Sequence, residues 1–392
     1  MSKEKQKTSE AVFETESFLQ ENYEFRRNIL SGKTEVRPTE STDDKWIILT
    51  TEVLNSIILR AKKEEIGDTM VQGIIHQIVN SDTIPEWNPV THFLENLPTW
   101  NQQDHVASLF NRIPGLTSEQ LSWCRTWLRS AVAHWMSIDV LHGNESVPVL
   151  IGKQGCGKST FALRLLPPEL REYFLDHINF ANKFDSDMAL THNLLVNIDE
   201  FANMGPTQQG KLKQTLSRVK VNGRPIFGKS QEDRRRFASF LATTNDEHPL
   251  CDVTGSRRYL CIQVPNGQFI DNETPIDYPQ LYAQIVYEIK EQQMPYWFNN
   301  EEVERIQQAN LPFFKCDDLE SMISCCFRVP LEKEEGRWML CKEVFEELQI
   351  QFPTLISDHS TKVKIGQVLR YMGCASQHNR HGQMYQLINK RA

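Results

Sequence analysis

The chain carries near its middle the glycine-rich stretch Gly152-Lys153-Gln154-Gly155-Cys156-Gly157-Lys158-Ser159-Thr160. A β-rich run at 147–151 precedes the stretch, and residues 161–166 follow it with the apolar spacing of a helix. A glycine-rich loop ending in Lys-Ser between a strand and a helix is the P-loop pattern. The stretch therefore predicts a phosphate-binding loop in an α/β domain, and a glycine-rich turn of purely structural role is the alternative.

The residue types suggest how such a loop works. Glycines 152, 155 and 157 are expected to adopt positive φ, so that backbone N–H groups, including those of Cys156 and Thr160, approach phosphate oxygens. Lys158 is expected to reach the β- and γ-phosphates of ATP, and Ser159 to coordinate Mg²⁺.

Two further strand-like runs end in polar residues downstream. The apolar run 194–198 is followed by Asp199, a candidate Mg²⁺ ligand, and by Glu200, a candidate for activating the attacking water. The run 237–244 is followed by Asn245, whose amide can position that water. Each run alone has a structural alternative, an ordinary buried strand or a capping asparagine, but their position after Lys158 favours one site.

Arg257 and Arg258 follow Gly255-Ser256 and precede a strand-like run. A guanidinium directed at a γ-phosphate stabilises the charge that develops during phosphoryl transfer. If one of these arginines serves a neighbouring subunit, the protein must form a ring or a filament. The alternative is a solvated strand edge.

The segment 211–236 is rich in Lys and Arg, although the whole chain carries a net charge of −8. Asn222-Gly223 between apolar residues predicts a two-residue hairpin turn. A basic hairpin can follow a phosphate backbone, so Lys220, Arg224 and Lys229 are candidate nucleic-acid contacts. A solvated charged face is the alternative.

Composition limits the remaining classes. With 392 residues and 40% hydrophobic content, the chain is long enough for two or three domains with their own cores. No run of about 18 apolar residues and no secretory leader are recognisable, which predicts a cytoplasmic protein without a membrane partner. The nine cysteines show no Cys-x-x-Cys pair, and buried reduced thiols are expected.

The sequence divides into four predicted parts: an N-terminal arm (1–45), a helical region (46–143), the P-loop ATPase (144–300) and a C-terminal domain (311–392). Trp123, Trp127 and Trp135 lie at four- and eight-residue steps of one predicted helix, a spacing that favours core packing over base stacking. In the last part, helices over 339–348 and 361–372 and a hairpin turning at His381-Gly382 predict a winged-helix-like domain.

Together these motifs resemble the virulence-associated protein E family, whose ATPase domain is similar to superfamily 3 helicases of the AAA+ class. The resemblance covers roughly residues 20–265 and is carried by Gly152–Thr160, Ile198–Phe201, Lys211–Leu216, Thr243–Asn245 and Gly255–Arg258. It implies an AAA+ type core that uses ATP and Mg²⁺, in a phage, plasmid or integrated mobile element. The chain departs from the family in two respects: the N-terminal region is too short for a primase domain, and Trp100-Asn101-Gln102 replaces a Trp-Asp-Gly lead-in.

The favoured function is a ring-forming, nucleic-acid-dependent ATPase, a replicative DNA helicase that acts as a homo-oligomer on single-stranded or forked DNA, beside a separate primase. The alternative is an ATP-gated oligomeric switch that unwinds nothing. A small-molecule kinase is disfavoured, because such enzymes rarely combine an arginine pair with a basic hairpin.

Overall fold

The computed structural model of the protein describes residues 3–42, 45–138, 143–178, 180, 182–204, 206–223, 232–250, 256–314, 319–331 and 334–390. The chain divides into two compact units, Met1–Asn96 with Asn222–Asp233, and Leu97–Val221 with Arg234–Ala392. Within the described part, no helix is long and apolar enough to cross a bilayer.

The first unit combines helices with a four-stranded sheet. Its elements are α1 (Lys3–Asn22), β1 (Tyr23–Asn28), β2 (Thr34–Pro38), β3 (Ile47–Ile48), α2 (Thr51–Lys63), α3 (Val71–Val79), β4 (Glu86–Trp87) and α4 (Pro89–Glu95). The strand order is β3-β2-β1-β4, with β4 parallel to β1 and the other pairs antiparallel.

A core of apolar residues from α1, β2, α2 and α3 holds this unit together, with Phe18, Leu19, Val36, Ile57 and Ile75 all buried. Residues 1–45, expected to form an arm, therefore contribute a helix and two strands to a packed unit. The boundary predicted at residue 45 falls between β2 and β3. The arm was expected because residues 1–45 are charged and turn-rich, but a polar helix needs only one apolar stripe to pack against a core.

The second unit begins with helices and a parallel sheet. Its elements up to residue 309 are α5 (His105–Phe110), α6 (Ser118–Trp135), β5 (Val147–Ile151), α7 (Lys158–Arg164), β6 (Phe174–Leu175), α8 (Lys183–His192), β7 (Leu195–Ile198), α9 (Pro206–Leu216), β8 (Lys220–Gly223), β9 (Glu232–Arg235), β10 (Ser239–Thr244), β11 (Tyr259–Gln263), α10 (Tyr278–Lys290) and α11 (Asn300–Ala309). Residues 222–223 of β8 and 232–233 of β9 are assigned to the first unit.

Five strands of this unit form one sheet in the order β11-β5-β10-β7-β6, and every pairing in it is parallel. Strands β5, β7 and β10 are buried along their whole length, as expected for a parallel sheet covered on both faces. The mixed α/β fold with a parallel sheet is thus confirmed. Since the strands are parallel, their carboxyl ends lie at one edge, where β5 leads into the glycine-rich loop.

Helix α6 packs its tryptophans inward. Trp123, Trp127 and Trp135 are each no more than 2% exposed, which confirms the prediction that they belong to the core. The same helix carries Arg125 and Arg129, which form ion pairs with the buried carboxylate of Glu288 at 3.2 and 3.0 Å. These ion pairs fasten α6 to α10.

Arg125 also pairs with Asp104 at 2.6 Å. Burial alone would raise the pKa of the Asp104 carboxylate, but hydrogen bonds from Arg125, the Ala107 N–H and Gln284 lower it to about 2. The carboxylate therefore contributes to stability in its ionised form.

The basic segment forms a hairpin, but not with the predicted turn. Asn222 and Gly223 lie inside strand β8, and the Asn222 side chain donates a hydrogen bond to Asp233 on the paired strand at 2.9 Å. The prediction of a two-residue turn at Asn222-Gly223 is therefore wrong, because the two residues continue the strand and the connection to β9 is longer. That connection, residues 224–231, lies outside the described residues.

Arg236, which follows β9, is fully buried. Its guanidinium donates to backbone carbonyls of Leu216 (2.6 Å), Ala238 (2.8 Å), Arg218 (2.9 Å) and Asn144 (3.1 Å). Burial lowers its pKa to about 10. Arg236 is thus a structural connection between the end of α9, the base of the hairpin and the segment before β5, and it is not part of a solvated basic face.

The C-terminal part of the second unit consists of α12 (Leu319–Cys326), β12 (Phe327–Arg328), β13 (Arg337–Leu340), α13 (Cys341–Gln351), α14 (His359–Tyr371), β14 (Ser376–Asn379) and β15 (Gly382–Asn389). Strand β15 pairs antiparallel with β12, β13 and β14. Its Leu387 and Tyr385 are buried, together with Ile365 and Leu369 of α14.

Two elements predicted in this region are present, but their boundaries differ from the prediction. The helix predicted over 339–348 begins at Cys341, since Arg337–Leu340 pairs with β15 as a strand. The predicted hairpin is present, but Asn379 pairs with Gly382, so the turn residues are Arg380 and His381. The Asn379 side chain accepts a hydrogen bond from the His381 N–H at 2.8 Å, which stabilises this turn.

Candidate functional site

A cleft of about 320 Å³ opens at the carboxyl edge of the parallel sheet. Polar and glycine residues from three segments line it: Gln154, Gly155, Gly157, Lys158, Ser159, Thr160, Asp199, Glu200, Thr244 and Asn245. The structure therefore brings together the glycine-rich loop and the residues that follow β7 and β10. This juxtaposition follows from the parallel order β5-β10-β7.

The glycine-rich loop, residues 152–160, uses its glycines for two different reasons. Gly155 and Gly157 have φ of +82° and +94°, the left-handed region that was predicted for them. Gly152 does not have a positive φ, so the prediction of a left-handed conformation is wrong for this residue. A side chain at Gly152 would approach Cys156 Sγ and Val264 Cβ to 3.1 Å, and close packing explains this glycine.

A segment after β11 supports the loop from outside. The Ile270 N–H donates to the Cys156 carbonyl at 2.9 Å, and Asn272 Nδ2 donates to the Gly157 carbonyl at 2.9 Å. The carboxylate of Asp271 accepts hydrogen bonds from the Glu273 and Thr274 N–H groups, and the bonds formed with Thr274 and Glu273 lower the pKa of Asp271 to about 2.

Sequence reasoning missed this support. The only signal for it was a polar, turn-rich stretch more than one hundred residues after the loop, and the contact depends on where β11 ends.

Lys158 begins α7 and is 8% exposed. Its ammonium donates to the carbonyls of Gly152 at 2.7 Å and Lys153 at 3.0 Å, and to Asn245 Oδ1 at 3.0 Å. All three acceptors are neutral, so the buried positive charge lacks a counter-ion among these contacts. Such a site favours an anion, because an opposite charge compensates the cost of burying the ammonium.

Asp199 follows β7 directly, and Thr243 of β10 holds it in place. The buried hydroxyl of Thr243 donates to Asp199 Oδ1 at 2.7 Å. Asn197 Nδ2, also buried, lies 3.5 Å from the same hydroxyl. A neighbouring strand therefore orients the carboxylate through Oδ1, and no hydrogen bond from a described residue reaches its other oxygen, Oδ2.

Glu200 has φ +50° and ψ +42°, an unusual conformation for a residue with a side chain. Its carboxylate accepts a hydrogen bond from Asn203 Nδ2 at 2.8 Å. Strained backbone of this kind costs on the order of 1–3 kcal/mol and occurs often at functional sites. The side chains of Asp199 and Glu200 both line the cleft.

Arg257 and Arg258 lie away from the cleft. They precede β11, and β11 pairs in parallel register with β5, Tyr259 with Val147. The arginines therefore lie at the amino edge of the sheet, separated from the glycine-rich loop by the length of β5, roughly 13 Å at about 3.3 Å per residue.

The two arginines differ in their contacts. Arg258 pairs with Glu145 at 3.5 Å and donates to the Ser217 hydroxyl at 3.3 Å, whereas the side chain of Arg257 is exposed. Arg258 is therefore held by contacts within the chain, whereas the side chain of Arg257 faces solvent.

The candidate nucleic-acid residues are described only in part. Lys220 is exposed at the start of β8, and Arg224 and Lys229 lie outside the described residues. Nearby, the Arg235 guanidinium lies 4.6 Å from the centre of the Phe237 ring, and burial lowers its pKa to about 10. Some of the basic residues in this segment are therefore structural.

The fold and the site define a mixed α/β protein with a glycine-rich loop and acidic residues at one edge of a parallel sheet. The virulence-associated protein E-like domain matches residues 94–313, more than half of the chain, and the protein belongs to this family. Residues 318–387 match a domain of unknown function from a B. theta gene description, DUF3874.

Among curated proteins none matches the sequence significantly. Solved structures that resemble the chain include two apo structures of the NrS-1 C-terminal region (305–718). One of them, the A form, has 12% identity, covers 97% of this chain and 99% of the other, and has a TM-score of 0.46. The second has 13% identity, the same coverage and a TM-score of 0.45.

Proposed function

We propose that the protein is an ATP hydrolase that works as an oligomer on nucleic acid. The observation that carries this proposal is the cleft itself, where a buried lysine, a glycine-rich loop, the two carboxylates that follow β7 and the amide that follows β10 converge. Backbone N–H groups of the loop and Lys158 would hold the β- and γ-phosphates of ATP. Lys158 would exchange its carbonyl acceptors for phosphate oxygens and thereby gain the counter-charge that its present contacts lack.

The residues present fit a magnesium ion. The Ser159 hydroxyl and the Asp199 carboxylate line the same cleft, and hard oxygen ligands of this kind suit Mg²⁺ bound together with phosphates. When bound, the ion would neutralise charge on the β- and γ-phosphates. The hydrogen bond from Thr243 would keep Asp199 in the orientation that such a ligand needs.

Glu200 and Asn245 complete the reaction site. Glu200 would accept a proton from the attacking water, and the Asn245 amide would position that water. Asn245 Oδ1 accepts a hydrogen bond from Lys158 in the structure, so movement of Lys158 toward phosphate would release the amide oxygen. Binding of ATP and positioning of water would thus be coupled through one hydrogen bond.

Arg257 would act on ATP bound to a neighbouring copy. Its place at the amino edge of the sheet keeps it from the cleft of its own subunit, and its exposure leaves it accessible to a second one. A contact that joins opposite edges of two copies is head-to-tail and closes into a ring when the rotation permits. Arg258, held by Glu145, would position this segment.

We further propose that the protein is a ring-forming replicative DNA helicase of a mobile element, with an AAA+ core and a separate primase as partner. Family membership and the basic hairpin at Lys220 support this assignment. The order strand, two helices and β-hairpin in residues 337–389, with helix α12 before it, supports a winged-helix type for the C-terminal part.

Steady-state ATP hydrolysis by the purified protein, with and without single-stranded DNA, tests the proposal. Lys158→Ala is expected to abolish turnover and leave the melting temperature nearly unchanged. Arg257→Ala should lower kcat by about a thousandfold, as expected for an arginine that stabilises the transition state. Turnover that is undiminished in Lys158→Ala would contradict the site.

A mixing experiment tests the action of Arg257 on a neighbour. Subunits with Arg257→Ala retain Glu200, and subunits with Glu200→Gln retain Arg257, so mixed oligomers contain some complete sites. Activity should reappear on mixing. No recovery at any ratio, or a solution mass of single copies in the presence of ATP and DNA, would contradict the oligomeric mechanism. Unwinding of a forked duplex then distinguishes a helicase from an ATP-gated switch.

A further inference from the structure

The end of the chain has an unusual charge distribution. Residues 359–390 contain five lysines or arginines, three histidines and no aspartate or glutamate. The preceding helix α13, by contrast, carries Glu343, Glu346 and Glu347. Acidic and basic residues are therefore segregated within one small domain, in a protein whose overall charge is −8.

Helix α14 presents one side to solvent. Ile365 and Leu369 are fully buried, and Gly366 accepts a hydrogen bond from the Tyr385 hydroxyl of β15 at 3.1 Å. The opposite side carries exposed residues at helical spacing: Val363, Lys364, Gln367, Arg370 and Tyr371. Tyr371 is 80% exposed. The hairpin β14–β15 packs on α14 through this Tyr385 contact and turns at Arg380 and His381. We call the exposed side of α14, together with these two turn residues, the C-terminal basic face.

The cations of this face differ from the other cations of the same domain. Away from the face, Arg328 pairs with Glu334, Arg337 with Glu347 at 3.1 Å, and Lys342 with Glu346 at 3.7 Å.

On the face, Lys364, Arg370 and Arg380 form no ion pair with any described residue. Arg370 donates to the Gly366 carbonyl at 3.2 Å, and Arg380 Nε contacts His381 Nε2 at 2.9 Å. Asp358, which caps α14 through the Thr361 N–H, is the acidic group that interacts with Lys364. The face therefore keeps positive charge that the fold does not neutralise.

We propose that the C-terminal basic face binds the phosphate backbone of duplex nucleic acid. A helix of 13 residues, about 20 Å long, fits the major groove, and lysine, arginine and glutamine side chains contact phosphates and base edges. Single strands are bound mainly by stacking on aromatic side chains, and Tyr371 is the one exposed aromatic residue of α14. This binding needs no ATP, so it is separable from the proposed hydrolysis.

Fluorescence anisotropy with a labelled 20-base-pair duplex and full-length protein tests the proposal. Lys364→Glu combined with Arg380→Glu removes two phosphate contacts and adds repulsion, so the affinity should fall at least tenfold. The slope of log affinity against log salt should become less steep by about 2, since each phosphate contact contributes about 0.9. The same loss should occur in a Lys158→Ala background, which keeps the test independent of ATP hydrolysis.

The matched control is Arg337→Glu combined with Lys342→Glu, which makes the same charge change on paired cations of the same domain. This variant should stay within about twofold of the parent affinity. The proposal is wrong if both double variants lose affinity for the duplex equally, or if neither loses affinity. It is also wrong if Lys364→Glu with Arg380→Glu weakens binding to single strands but not to the duplex. Displacement of the duplex by polyglutamate at equal charge concentration would also overturn it, since the face would then be a general polyanion site.

Discussion

The hydrogen bond from Thr243 to Asp199 offers a sharp test of the proposed site. Thr243→Val replaces the buried hydroxyl with a methyl group of similar size, so the packing of β10 is preserved while the 2.7 Å bond to Asp199 Oδ1 is lost. Asn197 Nδ2, at 3.5 Å from the hydroxyl, makes only a weak additional contact. The substitution therefore removes one interaction with the candidate magnesium ligand.

The size of the effect follows from the type of bond. A hydrogen bond to a charged group contributes about 1.5–3 kcal/mol, and about 1.4 kcal/mol corresponds to a factor of ten. If Asp199 must keep this orientation during phosphoryl transfer, kcat/KM for ATP with Mg²⁺ should fall about 10- to 100-fold. Loss of a group that orients a metal ligand typically has an effect of this size. The Mg²⁺ concentration for half-maximal activity should rise.

Steady-state ATPase assays over a range of Mg²⁺ concentrations provide the measurement, and Thr243→Ser, which retains the hydroxyl, is the control. The serine variant should stay within a few-fold of the parent. Equal activity of the valine and serine variants would refute the role of the hydroxyl. If the parent protein itself fails to hydrolyse ATP, the proposed function is wrong and the test of Thr243 does not apply.

Three further substitutions test the framework of the second unit. Arg236→Met should lower the free energy of unfolding by about 3 kcal/mol, because buried carbonyls lose a charged donor. The control Arg235→Met, measured in the same urea titration by tryptophan fluorescence, should lower it much less. Equal losses in the two variants would contradict the structural role of Arg236. Asp104→Asn should lower the melting temperature more at pH 6 than at pH 3. A carboxylate with its pKa lowered to about 2 stabilises the fold above the unfolded pKa near 4, and this stabilisation is lost as the pH falls toward 2. An equal decrease in melting temperature at the two pH values would refute this. Gly157→Ala, at φ +94°, should weaken nucleotide binding measured by calorimetry, and normal affinity would count against the loop geometry. By contrast, Gly210→Ala places a methyl group where nothing lies within 4 Å, so it should raise the free energy of unfolding by about 0.5–1 kcal/mol.

Local signals predicted much of the second unit. The alternation of buried strands and helices predicted a parallel sheet, and the carboxyl ends of β5, β7 and β10 meet at one edge. The sequence therefore predicts that the residues after those strands share one cleft, and in the structure they line it together. The tryptophans of α6 were assigned to the core on helical spacing alone, and their burial confirms it.

Other features were beyond the reach of local patterns. Asn222-Gly223 has the composition of a tight turn, yet the pairing of β8 with β9 keeps both residues in a strand. Arg236 belongs to a run of basic residues in the sequence, but the fold buries it among carbonyl groups. Composition shows that the segment is basic, but it does not show which of its arginines is buried when the chain folds.

The sequence by itself determined the chemistry available to this protein: a glycine-rich loop with its lysine, two carboxylates, an amide and a pair of arginines. Only the tertiary structure decided where they stand relative to one another. Because β11 runs parallel to β5, Arg257 and Arg258 lie at the edge opposite the glycine-rich loop. Two adjacent arginines then have different surroundings, since Glu145 is within reach of Arg258 and the side chain of Arg257 faces solvent. Strand direction and neighbouring charge are properties of contacts between distant residues, which no local spacing can specify.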